Sequence, residues 1–181
     1  PTQNTPYYDA PIWLVGFRPF FIATWISGAL LPLWWVLVVS GVVPAPNPLF
    51  NPVNGALHWH MHEMFFGFGW ALLGGFLLTA TKNWVNIRGR YGRTLILLIT
   101  LWLLDRFVMA YGGDWPVAAM YVMSLPFMVL IIALMEIDLI RNRANDSYRD
   151  NVYFILALPL FVVAKLALLN DDLDPAIGWS M

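Results

Sequence analysis

All three histidines of the chain fall within five residues, in the run His58-Trp59-His60-Met61-His62-Glu63-Met64. Imidazole nitrogen suits haem iron, copper and zinc, and a thioether sulfur tips the preference toward haem iron or Cu(I) over magnesium and calcium. On a helix, His58 and His62 share one face at i and i+4, while His60, Glu63 and Met64 share another. In an extended chain, His58, His60 and His62 instead align on one side as a three-histidine clamp. A single histidine here would read as a wet polar residue at a helix start. Three of them with a glutamate and two methionines, at the edge of an apolar run, favour a metal or haem site, because ionisable groups in a membrane are costly and usually functional. On this reading His60, His62, Glu63 and Met64 are metal ligands and His58 lines the cofactor.

Two further features belong with this cluster. Glu63, Gly67, Ala71, Gly75 and Thr79 recur every four residues and draw a smooth stripe along one helix. Such a stripe admits either another helix or a flat macrocycle close to the backbone. Gly67, next to the histidines, is the position where a cofactor would rest. Asp105, Arg106 and Lys165 interrupt otherwise apolar runs. Arg106 and Lys165 suit haem propionates, and Asp105 suits a ring nitrogen of a ligand histidine. The competing reading is mutual neutralisation, or snorkelling to the interface.

These side chains must be positioned by membrane-spanning helices. Of 181 residues, 60% are hydrophobic and 12% charged, and the mean hydropathy is +0.65. Soluble domains carry about 45–50% apolar and about 25% charged residues. Apolar runs of about 18 or more residues cross the hydrocarbon core as helices. Five such runs predict spans over about 19–43, 58–81, 94–111, 115–138 and 152–169, an all-α polytopic membrane bundle forming one domain over 1–181. Pro44, Pro46, Pro48 and Pro52 make the first connection a stiff extended loop. Gly112-Gly113-Asp114 is a tight turn. Lys82, Arg88, Arg90 and Arg93 occupy the second connection and Arg141, Arg143 and Arg149 the fourth, seven of ten basic residues. Positive charge stays inside, so the N-terminus is expected in the cytoplasm and the acidic C-terminus in the periplasm. On that topology the histidines, Asp105, Arg106 and Lys165 sit at one level near the outer face. Glu136 and Asp138, at the inner end of span four, are expected to pair with the basic loops.

Composition also excludes. A formal charge of −1 leaves no basic surface for nucleic acid. The absence of cysteine rules out disulfides, thiolate metal sites, iron–sulfur clusters and covalently attached haem. Residues 1–11 lack the basic start of a secretory signal, so the first span is expected to drive insertion. There is no hydrolytic triad, no phosphate-cradling glycine loop and no carboxylate pair for hydrolysis. No span shows the broken-helix pattern of a transporter. Binding or electron transfer is expected rather than turnover.

The run Trp59-His60-Met61-His62-Glu63-Met64-Phe65-Phe66-Gly67-Phe68, continued by Gly75-Phe76-Leu77-Leu78-Thr79-Ala80 and Asn83-Trp84, resembles the central motif of the NnrS family. The opening Gly16-Phe17-Arg18-Pro19-Phe20-Phe21 and the basic loop Arg141-Asn142-Arg143 with Asn145 are similar to others of its signatures. The resemblance implies a bacterial inner-membrane protein of nitric oxide response that contains haem and copper. It reaches His60, His62 and Glu63, with Met64 and Gly67 beside them. The usual member has about twice as many spans and further histidines. The resemblance therefore implies haem b or copper held with help from a second copy or another subunit. An accessory subunit of a larger complex, packing on other subunits, lipid, quinone or pigment, is the alternative.

Overall fold

The computed structural model describes residues 7–44, 55–146 and 151–173. Among these the chain is helical, with no strand. Helix α1 is Phe17–Val39. The second span begins as α2, Gly55–His62, widens into a π-helical segment, Glu63–Gly69, and continues as α3, Trp70–Trp84. It is followed by α4, Arg93–Tyr111, then α5, Val117–Ser124, α6, Pro126–Arg141, and α7, Val152–Leu173. Four helical stretches are long and apolar enough to cross a membrane: Phe17–Val39, Ala56–Trp84, Arg93–Tyr111 and Ala118–Arg141. The fifth apolar helix is shorter, Tyr153–Leu169. The chain is thus a polytopic helical bundle, as its hydropathy predicts.

The boundaries differ from the expected ones where local chemistry intervenes. The first helix stops at Val39, not Val43, because Gly41 takes a φ of +73°. That left-handed residue lets Val42 N–H turn back to the Leu37 carbonyl at 2.9 Å and close the helix end. Span four is broken at Leu125, where Pro126 starts a new helix with no N–H to give to the previous turn. Gly112–Asp114 forms the anticipated tight turn. Most of the proline-rich connection, Arg149 and the end of the acidic tail lie outside the described residues.

The second span is the axis of the bundle. Half of its most apolar window is buried inside the protein, against 11% for α1, which lies on the periphery. Helix α1 packs along the π-helical segment and α3, α4 lies against α5 and α6, and α7 closes on α6 and α2. The small-residue stripe makes the first of these contacts possible. A Cβ on Gly75 would come within 2.5 Å of Phe20 Cβ, and Thr79 Oγ1 accepts from the Phe17 N–H at 3.1 Å. Where lipid and protein are equally apolar, such close approach is what holds helices together. Phe20, Trp70, Ala71, Leu95, Leu98, Phe127 and Ile131 fill the larger core. A smaller core of Trp59, Val108, Met109, Met120 and Leu169 packs at the histidine end.

Candidate functional site

The histidine run is helical, so the extended clamp does not form. The rings diverge. His58 and His62 are both buried, and His60 turns toward α1, where its ring stacks on Trp35 with centroids 4.4 Å apart and planes 15° apart. Met64, one turn beyond His60, is half-buried. Among the described residues, no three His, Asp or Glu side chains converge as a metal-ligand set would. Glu63, expected beside His60, lies with His62. The helix widens to π geometry from Glu63 onward, so α-helical spacing no longer assigns its faces. Such segments are rare and concentrate at functional sites.

From His62 a continuous polar network runs through the interior. His62 Nδ1 is 3.2 Å from Glu63 Oε1, and Glu63 Oε2 is 2.7 Å from Arg106 Nη1. Arg106 Nη2 donates to Asp105 Oδ2. Lys165 Nζ donates to the same carboxylate oxygen at 2.7 Å and to the Ser124 carbonyl at 2.8 Å. Ser124 Oγ donates to Asp105 Oδ1 at 2.6 Å. His62, Asp105, Ser124 and Lys165 have no exposed surface. Two carboxylates face two cations, so the network is neutral as a whole. From Glu63 onward it joins the π-helical segment, α4, α5 and α7, four elements of the bundle.

Of the two readings of Arg106 and Lys165, the structure displays neutralisation. Both cations are turned inward on Glu63 and Asp105 rather than left open to a carboxylate from outside. Asp105 does not reach a histidine; Glu63 takes that part. Gly67 serves the same network. A Cβ there would collide with Arg106 Nη1 and lie 3.0 Å from Glu63 Oε2, so the missing side chain is the space the guanidinium occupies. The Gly67 carbonyl accepts from Trp102 Nε1 at 3.0 Å, which ties the wide turn to α4.

Ser124, Trp102 and Trp35 escaped the reading of the sequence. Ser124 carried a usable signal, a hydroxyl two residues before a proline inside an apolar span. The two tryptophans carried none, because aromatic residues are scattered over every face of these helices.

Glu63 Oε2 faces the Arg106 guanidinium, and the tautomer that lets Glu63 Oε1 accept from the ring places the His62 proton on Nδ1. The Nε2 of His62 is then the lone-pair nitrogen. It is buried and has no hydrogen-bond partner. A carboxylate behind one ring nitrogen and a bare second nitrogen is the arrangement found behind metal-binding histidines.

A family model described as NnrS protein matches residues 11–180, nearly the whole chain. The chain belongs to the NnrS family. No curated protein and no solved structure matches it. In this NnrS chain the motif residues His62, Glu63 and Gly67 meet in one buried network, the His60 ring stands apart against Trp35 of α1, and His58 lies buried one turn before His62.

Proposed function

We propose that this NnrS-family chain is a bacterial inner-membrane protein of nitric oxide response that binds haem b or copper through His62, at the end of its second span expected to face the periplasm. The observation that carries this reading is the bare, buried Nε2 of His62 with Glu63 fixed behind the ring. The donor chemistry would supply one imidazole ligand to either group. It does not fit a complete centre, because His60 is stacked against Trp35 and both oxygens of Glu63 are engaged. The remaining ligands therefore come from a second copy or another subunit. Haem iron or copper, when bound, supplies reversible capture of a small diatomic ligand or a one-electron step. The chain's own residues orient the imidazole, hold its proton at Nδ1 and keep water away from Nε2.

The test is an absorption spectrum of the detergent-purified protein, oxidised and reduced, with metal analysis on the same sample. A b-type Soret band or bound copper that disappears in His62→Ala and survives in His60→Phe is the expected result. A signal unchanged in His62→Ala would refute the assignment.

A second reading is supported by the closure of the charge network and by the large apolar side chains exposed along α1, among them Trp25, Leu30, Leu33 and Val36. On it the chain is an accessory subunit packed against other membrane proteins. A colourless, metal-free protein that co-purifies with them in fixed ratio would favour this reading.

A further inference from the structure

At the opposite end of the bundle from the histidines, the connection between α3 and α4 encloses a bowl of about 740 Å³. Its wall is built from Arg88, Arg90 and Tyr91 of that connection, Arg93 at the start of α4, Tyr8 of the N-terminal segment and Asp138 of α6. The backbone here is tightly wound. Gly89 and Gly92 take φ of +79° and +59°, and Gly92 N–H donates to the Trp13 carbonyl at 2.7 Å, which pins the N-terminal segment against the loop.

The three arginines are not equivalent. Arg90 is committed to the fold: its Nε and Nη2 form a fork on Asp138, at 2.9 and 2.5 Å. Arg88 and Arg93 lie instead over aromatic rings, 3.8 Å from the centre of Tyr91 and 4.7 Å from that of Tyr8. Among the described residues neither is ion-paired, although Asp9 also lines the bowl. A guanidinium resting on a ring keeps its edge N–H groups free, and that edge matches two phosphate oxygens at once. The rings hold the two side chains in place without consuming their charge. Three guanidiniums against two carboxylates leave the concavity positive.

From these observations we infer that the bowl between the α3–α4 connection, Tyr8 and Asp138 is a binding site for the phosphate headgroup of an anionic phospholipid, with Arg88 and Arg93 as its donors. The location selects lipid over a soluble phosphate. Both basic connections mark this end of the bundle as cytoplasmic, where the leaflet is anionic, and basic pockets between membrane helices are suited to such headgroups. The tyrosines sit where amphipathic rings favour the headgroup layer.

The experiment uses the whole chain in neutral detergent. Phosphatidylglycerol, phosphatidylcholine and inorganic phosphate are titrated separately, with bound lipid counted by native mass spectrometry and thermal unfolding followed in parallel. Phosphatidylglycerol is expected to bind and raise the unfolding temperature, while phosphatidylcholine and inorganic phosphate at equal concentration do not. Each cation near a charged surface contributes about a fivefold factor, so Arg88→Gln with Arg93→Gln should weaken phosphatidylglycerol binding roughly thirtyfold. Arg141→Gln with Arg143→Gln, in the other basic connection, controls for diffuse attraction and should retain it. Equal stabilisation by inorganic phosphate would overturn the lipid assignment. Equal losses in the two double variants would overturn the site. Should the Arg88/Arg93 variant fold poorly, Tyr8→Leu, which removes only the platform beneath Arg93, should lower affinity several-fold, and unchanged binding there would also overturn it.

Discussion

Lys165 has no exposed surface and ends on Asp105 and the Ser124 carbonyl, so its charge is sustained by a single carboxylate shared with Arg106. Replacing it with Met keeps the aliphatic length and removes the charge. The network Glu63, Asp105, Arg106, Lys165 then passes from neutral to one uncompensated negative charge in an apolar interior. Breaking a buried pair from one side costs about 3–5 kcal/mol. Asp105→Asn preserves shape and an acceptor for Ser124 but strands Lys165, and falls in the same range. The double variant removes both charges and leaves Glu63 neutralised by Arg106 at 2.7 Å. It should therefore be no worse than one single variant, which gives a coupling of about 3–5 kcal/mol. An ordinary interhelical hydrogen bond in a membrane protein shows a mean coupling of only about 0.6 kcal/mol. The measurement is reversible unfolding by SDS in mixed micelles, followed by tryptophan fluorescence, for the wild type, both singles and the double. Additive losses, with coupling at or below the hydrogen-bond value, would refute the idea that charge balance holds these four elements together.

Two smaller changes test the packing beside the network and the ion pair at the opposite end of the bundle. Gly67→Ala should cost about 1–3 kcal/mol, because the new methyl group meets Arg106 and Glu63, and the same unfolding titration reads it. Asp138→Asn removes only the partly exposed fork with Arg90, with side chains 30% and 14% accessible, and should cost at most about 1 kcal/mol with clear salt dependence.

How far the sequence could be read follows from how local each determinant is. The spans were legible because some twenty apolar residues suffice to define a crossing helix, and Asp138 was rightly matched to a basic loop because topology places their ends together. The level shared by Glu63, Arg106 and Lys165 was legible for the same reason. Which of them would close on which was not, since it depends on the rotation of each helix about its axis. The π-helical segment left no mark at all. The two glycines of Glu63–Gly69 weaken an α-helix without specifying a wider turn, and its wide turns are tied to Arg106 and Trp102, more than thirty positions away. That segment also explains the altered partner of Glu63. The small-residue stripe was visible, but its meaning was not: Gly75 is filled by Phe20 and Gly67 by a guanidinium.

The placement of Lys165 has a consequence for biosynthesis. Translation delivers helices to the bilayer in chain order, and α7 emerges after every group that receives its ammonium. Asp105 and Arg106 are adjacent on α4 and can enter lipid as a self-compensated pair. Lys165 has no adjacent carboxylate on its own helix, whose apolar stretch is also the shortest of the five among the described residues. The partners that receive its charge are thus contributed entirely by earlier helices, α4 and α5. Compensation of that charge and docking of α7 on the rest of the bundle are in this way a single event.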